Sequence, residues 1–259
     1  MLNRVRNKLK HWMRLRRGSG FVEFGSYRGY GLTDEERATL RANPIGRLFA
    51  DNKGRLIHKW LHFFPVYERY FAAYAGKAPV MLEIGVSQGG SLDMWRSYFG
   101  PDATIFGIDI DPACATRVTA PNQVRIGSQA DPAFLEAVVA ETGPLDIILD
   151  DGSHVADHQR ISFETLWPHL KVGGIYMIED THTSYWSGWG GGVRRKGSAI
   201  EIAKLMVDDM HGWYHRAPRA FIPREEVGAV HFHDSIIVIE KARVATPKTV
   251  EIPQPVEAA

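Results

Sequence analysis

From residue 79 onward, short apolar runs alternate with segments of helical periodicity. The apolar runs predict strands over residues 80–86, 104–110, 123–129, 145–151 and 173–180. The helical segments lie over residues 91–99, 132–141, 158–169 and 198–211. Because short strands that alternate with helices form βαβ units, this pattern predicts an α/β fold with a Rossmann-like, doubly wound, mostly parallel sheet.

The last part of the chain completes this sheet. Residues 229–241 predict two short strands around His233 and Asp234, which form an antiparallel hairpin at the sheet edge. This hairpin brings the predicted sheet to seven strands. Residues 246–259 contain three prolines and are expected to form a flexible tail.

Residues 1–60 predict a short helical N-terminal extension that acts as a lid or as an oligomer contact. Thr33 and Glu36 have the spacing of a capping box at the start of a helix over residues 34–41. The aromatic stretch over residues 55–74 has apolar spacing that predicts a helix on either side of Pro65.

The first 17 residues carry seven basic side chains and no acidic one. Apolar residues recur among them at helical spacing. The segment is therefore either an amphipathic helix on an anionic membrane surface or a helix packed against its own domain or another subunit. We favour the packed helix and expect a homo-oligomer, and peripheral membrane contact stays the alternative.

Composition narrows the class of protein further. The net charge is +1, so nucleic acid is not an expected partner. No apolar run approaches the roughly 20 residues of a membrane span, and no secretory signal pattern follows the basic start. The single cysteine, Cys114, excludes an intrachain disulfide and fits a cytoplasmic location.

Polar residues and glycines follow the first three predicted strands, where open α/β sheets bind their ligands. The first strand leads from Glu83 into Gly85, and glycine lets a backbone approach a ligand closely. The second ends in Asp109, which is placed to accept both ribose hydroxyls of an adenosine. Gln129 and Asp131 follow the third strand, where an adenine amino group can be recognised.

This arrangement suits both NAD and S-adenosylmethionine. The glycine pattern over residues 85–90 is G-x-x-x-G-G, which departs from the dinucleotide pattern G-x-G-x-x-G. The preceding Glu83 suits a cationic amino-acid cofactor better than a pyrophosphate. The remaining alternative is that these glycines only make tight turns between strands and helices.

Carboxylates follow the fourth and fifth predicted strands. Asp150 and Asp151 end the fourth strand, and Glu179 and Asp180 end the fifth. Neighbouring strand ends converge, and no lysine or arginine lies nearby in sequence to neutralise these acids. Such a cluster either raises its pKa values or binds a hard cation such as Mg²⁺. The alternative is that solvated acids cap the helices that follow.

A histidine lies three residues beyond the second acid of the fourth strand. A neutral imidazole at His154 can accept a proton from a substrate hydroxyl bound to the metal. The other histidines do not have metal-ligand spacing such as His-Glu-x-x-His.

Four stretches carry a resemblance to a known family: LEIGVSQGGSLDMW, FGIDID, LDDGSHVADHQRISFETLWPHLKVGGIYMIEDTHTSYW and HFHDSIIVIEK. Together they resemble the class I S-adenosylmethionine-dependent methyltransferases. More narrowly, they resemble the metal-dependent sugar O-methyltransferases typified by an enzyme of macrolide biosynthesis. Mycobacterial enzymes that methylate mannose or rhamnose units belong to the same broad group. The resemblance covers residues 79–241 and implies a methyltransferase domain over residues 61–245.

The resemblance also implies roles for single residues. His154 matches the general base. Asp151, Glu179 and Asp180 match the Mg²⁺ ligands. The implied positions around S-adenosylmethionine are Glu83, Gly85, Ser91, Asp109, Asp131 and Asp150. His182, Tyr185 and Trp186 match a loop near the acceptor.

These observations favour an S-adenosylmethionine- and Mg²⁺-dependent O-methyltransferase that acts on a sugar hydroxyl. The expected acceptor is a saccharide, a glycolipid or a glycosylated natural product whose vicinal hydroxyls bind the metal. A catechol-type O-methyltransferase is the first alternative. A NAD-dependent oxidoreductase and a non-catalytic module that keeps the fold are the others.

Overall fold

A computed structural model describes residues 31–216 and 220–252 of the chain. Its centre is a seven-stranded sheet with strand order β3-β2-β1-β4-β5-β7-β6. The strands are β1 Val80–Ile84, β2 Thr104–Asp109, β3 Gln123–Ile126, β4 Leu145–Asp150, β5 Leu170–Ile178, β6 Val227–His233 and β7 Ile236–Lys241. The basic segment over residues 1–17 lies outside the described residues.

Strands β1 to β5 are parallel, and β7 pairs antiparallel with both β5 and β6. The predicted mixed sheet with an antiparallel edge hairpin is confirmed. The strand order reverses between β1 and β4, since β1 pairs with β2 on one side and with β4 on the other. Ligands of doubly wound sheets bind at the carboxyl ends of the strands on either side of such a reversal.

Eight α-helices are described, and they cover both faces of the sheet. They are α1 Asp34–Arg41, α2 Pro44–Ala50, α3 Phe64–Phe71, α4 Gly90–Phe99, α5 Cys114–Arg117, α6 Pro132–Thr142, α7 Ala156–Leu166 and α8 Ala199–Met210. Side chains alternate along a strand, so Met81 packs with the α1–α4 face and Leu82 with the α6–α8 face. Helices α1 and α2 contribute Leu40 and Ile45 to the first of these two cores.

The N-terminal capping box is present, because Thr33 Oγ1 accepts from the Glu36 amide and the Glu36 carboxylate accepts from the Thr33 amide. Of the helices expected on either side of Pro65, the one after it is present as α3, but the one before it is replaced by a short 3₁₀ turn over residues 61–63. Proline is tolerated in the first turn of a helix, and Pro65 stands in the first turn of α3. Residues 56–60, which precede a short 3₁₀ turn, form neither helix nor strand.

Residues 55–60, called the strap below, cross the start of α4. Arg55 forms an ion pair with Asp93, with 2.5 Å between Nη1 and Oδ2. A methyl group at Gly90 would lie 2.4 Å from the carbonyl oxygen of Leu56, so the strap touches the helix backbone at a position that only glycine fits. Within the described ranges, the helices are too short or too polar to cross a membrane.

Candidate active site

A cavity of about 270 Å³ lies between the strap and the carboxyl ends of the central strands. The strap residues 56–60 form one wall. The opposite wall comes from the turns after β1, β2, β4 and β5: Gly85, Val86, Ser87, Ser91, Asp109, Asp151, Gly152, His154, Glu179 and Asp180. Asp151, Glu179 and Asp180 therefore share one cavity with the glycine loop, as the strand order requires.

Backbone amides fix Asp109 at one end of this cavity. Asp109 Oδ2 accepts hydrogen bonds from the amides of Val86 and Ser87, each at 2.9 Å. Burial raises the pKa of Asp109, but hydrogen bonds from backbone amides outweigh it and lower the pKa overall. Gly85 has φ 92°, and a methyl group there would lie 2.1 Å from the carbonyl oxygen of Asp151. The glycine is thus required both by backbone conformation and by the close approach of the β4 turn.

Glu83 lies behind the glycine loop and is fully buried. Its Oε2 accepts a hydrogen bond from Ser91 Oγ at 2.8 Å, while its Oε1 has no hydrogen-bond partner in the described part of the chain. Burial raises the pKa of Glu83 to about 7.

The histidine and one of the acids of this cluster have left-handed backbone conformations. His154 has φ 57° and Asp180 has φ 52°. Such conformations cost non-glycine residues about 1–3 kcal/mol and occur preferentially at functional sites. Thr183 Oγ1 donates to the carbonyl oxygens of both residues, at 3.0 and 2.9 Å. One side chain therefore links the turn after β4 to the turn after β5.

The cluster contains a group of atoms that can hold a cation. Oxygen atoms of Asp151 and Asp180 and a ring nitrogen of His154 lie within 4.8 Å of one another. His154 Nε2 is 3.4 Å from Asp180 Oδ2 and 4.0 Å from Asp151 Oδ1. All three side chains are about one-fifth exposed, so the group opens onto the cavity.

Glu179 has a different environment. It is 1% exposed, and Tyr67 donates a hydrogen bond of 2.6 Å to its Oε1. Burial and the charge of Asp151 raise its pKa, against the opposing effects of Lys59 and Tyr67.

Lys59 of the strap places one positive charge among these carboxylates, and this partner lies far from them in sequence. Its Nζ lies 2.5 Å from Asp151 Oδ2, 2.9 Å from Glu179 Oε2 and 3.7 Å from Glu83 Oε1. Burial lowers the pKa of Lys59, but the three carboxylates outweigh it and raise the pKa overall. Lys59 lies 92 residues before Asp151, and no local pattern in the sequence connects the two.

Two predicted cofactor residues are engaged elsewhere. Asp150 is fully buried and accepts hydrogen bonds from Ser162 Oγ at 2.8 Å and Gln129 Nε2 at 3.1 Å. Asp131 caps α6 by accepting from the Ala133 amide. Neither aspartate is among the described residues that line the cavity.

The predicted acceptor loop forms an aromatic row beside the acids. The ring of His182 lies 5.9 Å from that of Trp60 and 4.7 Å from that of Trp186, and Trp186 lies 5.2 Å from Trp189. Tyr185 is 46% exposed and Trp189 is 39% exposed. The row therefore runs from the acid cluster toward solvent.

Comparison with known proteins shows which class of protein this chain resembles. Residues 82–181 match the family model described as a methyltransferase domain, and the sheet has the Rossmann-like methyltransferase fold. Over these residues the chain is thus similar to the methyltransferase-domain family.

Particular relatives narrow the comparison. The chain is 39% identical over 219 residues to the 8-demethyl-8-(2-methoxy-alpha-L-rhamnosyl)-tetracenomycin-C 3'-O-methyltransferase of Streptomyces olivaceus, covering 80% of this chain and 56% of the relative. It is 43% identical over 169 residues to the L-olivosyl-oleandolide 3-O-methyltransferase of Streptomyces antibioticus, covering 59% and 43%. The chain spans about half the length of these curated relatives.

A solved structure shows the same fold. The MycE methyltransferase of the mycinamycin biosynthetic pathway, in complex with Mg, SAH and mycinamycin VI, superposes with a TM-score of 0.69 at 31% identity. The match covers 86% of this chain and 57% of that one. The resemblance to the sugar O-methyltransferases is confirmed by these relatives.

Proposed function

We propose that this protein transfers a methyl group from S-adenosylmethionine to a sugar hydroxyl in a reaction that depends on Mg²⁺. The observation that carries this proposal is the group formed by Asp151, His154 and Asp180 at the end of a cavity whose other end has the glycine loop and Asp109. The relatives named above are O-methyltransferases of rhamnosyl and olivosyl units. We therefore propose a saccharide acceptor, with a glycosylated natural product as its first candidate.

The residues at the nucleotide end suit the cofactor. Asp109 keeps its charge at the end of β2, and its Oδ1, which accepts one hydrogen bond from the Asp111 amide, can also accept a ribose hydroxyl. The left-handed Gly85 lets the loop backbone approach the cofactor closely. The negative charge of the acid cluster favours the sulfonium over a pyrophosphate, which also supports S-adenosylmethionine over NAD.

The donor set also suits a hard cation. Asp151 and Asp180 present carboxylate oxygens toward a partly exposed space, and Mg²⁺ prefers a few carboxylates together with waters or substrate oxygens. Bound there, Mg²⁺ supplies Lewis-acid polarisation that lowers the pKa of a coordinated hydroxyl.

We propose His154 as the general base. Its Nε2 faces the cluster, whereas its Nδ1 is buried without a hydrogen-bond partner among the described residues. The proton of the acceptor hydroxyl therefore arrives at Nε2. Thr183 holds the turn that carries the ring, and the rings of Trp60, Trp186 and Trp189 can stack on a sugar face.

The proposal is tested with methyl-labelled S-adenosylmethionine and a panel of glycosides, with and without Mg²⁺. His154→Ala should lower methyl transfer by about 10²- to 10⁴-fold and leave cofactor binding unchanged by calorimetry. His158→Ala is the matched control, because His158 lies in the same stretch but contacts only Ser153 in the described structure. Full activity of His154→Ala at neutral pH would show that the base is another group.

A catechol included in the same acceptor panel distinguishes a catechol-type O-methyltransferase from a sugar O-methyltransferase. A phenol needs less assistance from a base, so faster transfer to the catechol that is insensitive to His154→Ala would favour a catechol-type enzyme. Assembly into a homo-oligomer, a membrane contact of the basic first residues and a cytoplasmic location remain proposals.

A further inference from the structure

Gln129 lies beneath the turn that follows β4, and both ends of its side-chain amide are bonded to protein groups. Its Oε1 accepts a hydrogen bond of 2.6 Å from the Ser153 amide, and its Nε2 lies 3.1 Å from Asp150 Oδ1. Because a main-chain N–H can only donate, the oxygen of this amide faces Ser153 and its NH₂ group faces the carboxylate. Gln129 is 8% exposed and is not among the described residues that line the cavity.

The contact between Gln129 and the turn is close. A methyl group at Gly152 would lie 2.1 Å from Gln129 Oε1, so the glutamine occupies the space that a side chain at residue 152 would need. The second oxygen of Asp150 accepts a hydrogen bond of 2.8 Å from Ser162 Oγ of α7. Gln129, Asp150 and Ser162 are all buried. They therefore form an internal polar network that ties the turn to β4 and to α7.

This turn carries two groups that need a defined position in the proposed reaction. Asp151 and His154 lie at its two ends, and His154 has left-handed backbone with φ 57°. Such a conformation persists only where the surrounding structure fixes it. Thr183 Oγ1 donates to the carbonyl oxygen of His154 at 3.0 Å, and Gln129 accepts from the amide one residue earlier. The turn is thereby held on both sides of the strained residue.

We propose that Gln129 is a positioning residue for methyl transfer, because it joins the Ser153 amide to the Asp150 carboxylate and so fixes the turn that presents His154. The inference rests on the proposed function in one respect, namely that His154 acts in the reaction. Its requirement is chemical: residue 129 must accept from the turn, and a donor must face an acceptor between residues 129 and 150. Glutamine opposite aspartate meets this requirement, and so does glutamate opposite asparagine.

Exchange of the two groups tests this requirement in the full chain. Gln129→Glu puts a second carboxylate at the position of Nε2, 3.1 Å from Asp150 Oδ1, so the two acids repel and the turn should shift. With the glycoside that reacts fastest in the acceptor panel, kcat should fall by about 100-fold, while S-adenosylmethionine affinity by calorimetry should stay unchanged. The double variant Gln129→Glu/Asp150→Asn should recover most of this loss, because the asparagine can turn its NH₂ group toward the glutamate and its oxygen toward Ser162.

Two further variants separate position from charge. Asp150→Asn should cost much less than Gln129→Glu, since the asparagine oxygen can face Gln129 while its NH₂ group donates to Ser162 Oγ. Gln129→Asn keeps a neutral amide on a chain that is one methylene shorter, so it cannot reach both partners, and kcat should fall by about tenfold or more. Because it introduces no charge, this variant decides the question even if Gln129→Glu does not fold.

Nuclear magnetic resonance of protein labelled at histidine Cε1 adds a readout that needs neither acceptor nor turnover. The resonance of His154 is assigned by its loss in His154→Ala. At constant pH it should move or split in Gln129→Glu and in Gln129→Asn, because the turn is no longer held in one position. It should return to its wild-type position in the double variant, which has the same net charge as the wild type.

Asp209→Asn is the matched control for lost stability. Asp209 is also buried and accepts from two main-chain amides, those of Phe221 at 2.8 Å and Ile222 at 3.0 Å, but it is not among the described residues that line the cavity. The substitution should lower the melting temperature and leave both kcat and the His154 resonance unchanged.

Three results overturn the inference. The first is wild-type kcat together with an unchanged His154 resonance in folded Gln129→Asn. The second is a folded double variant that is no more active than Gln129→Glu. The third is a loss of kcat in Asp209→Asn as large as in the Gln129 variants, which would show that turnover follows stability alone. Failure of the proposed function is a different observation: no methyl transfer by the wild type while the His154 resonance still follows the expected order.

Discussion

Tyr67→Phe isolates one hydrogen bond at the centre of the candidate site. Tyr67 is fully buried, and its hydroxyl donates to Glu179 Oε1 at 2.6 Å. The ring itself packs edge-on against Trp95 with 5.3 Å between centroids and stacks on Phe71 at 5.9 Å. Phenylalanine keeps these ring contacts, so the substitution removes the hydroxyl and little else.

The expected loss of unfolding free energy follows from the environment of the hydrogen-bond acceptor, Glu179 Oε1. Hydrogen bonds to charged groups contribute about 1.5–3 kcal/mol to stability, and a buried acceptor that loses its partner adds a desolvation cost. Glu179 Oε1 keeps a contact of 3.1 Å with Lys59 Nζ, which offsets part of the loss. We expect the free energy of unfolding to fall by about 2 kcal/mol.

Urea unfolding followed by tryptophan fluorescence measures this change. Tyr74→Phe is the matched control, since its hydroxyl donates to the carbonyl oxygen of Gly173 at 2.6 Å in an exposed position. It should cost about 0.5–1.5 kcal/mol, the range of an ordinary hydrogen bond. If Tyr67→Phe costs no more than Tyr74→Phe, the hydrogen bond from Tyr67 does not hold Glu179 in place.

Three further predictions concern the cofactor end of the cavity. Asp109→Asn should weaken S-adenosylmethionine binding by about tenfold or more, measured by calorimetry, with Asp111→Asn on the exposed side as the unaffected control. Gly85→Ala should destabilise the protein in urea more than Gly100→Ala, because both have positive φ but only Gly85 meets backbone, at 2.1 Å. Burial raises the pKa of Glu83 from 4.5 to about 7, so the folded state binds a proton more tightly than the unfolded state. The stability that Glu83 contributes is therefore full below pH 4.5 and lost as the pH rises to 7, by about 3 kcal/mol. Glu83→Gln should flatten this decline in urea titrations across that range, and a parallel decline in both proteins would contradict the pKa shift.

Local patterns in the sequence were sufficient to predict the strands of the sheet. Strands such as β1 and β4 are continuous apolar runs because both faces of a parallel sheet are covered by helices, and this character does not depend on distant partners. The strand ends follow from the same reasoning, which puts Asp109, Asp151 and Asp180 at one edge of the sheet. The helix before Pro65 was predicted wrongly, because proline either ends a helix or begins one and the spacing of apolar residues does not distinguish the two.

The side chains that contact the acids at the end of β4 are decided by the tertiary structure. Asp150 and Asp151 are adjacent in sequence, yet Asp150 turns into the core toward Ser162 and Asp151 turns into the cavity. Successive residues at the end of a strand point to opposite sides, and only the packed helices decide which side is interior.

The sequence by itself determined the α/β sheet, its edge hairpin, the methyltransferase resemblance and the residue types of the acidic centre, because these depend on local periodicity and on motifs of a few residues. Only the tertiary structure decided how the charges are compensated. Lys59 and Trp60 reach the acids from a strap that is separated from them by 92 and 120 residues. Charge pairing acts across space rather than along the chain, so the placement of Lys59 among these carboxylates becomes visible only when the strap is folded over the sheet.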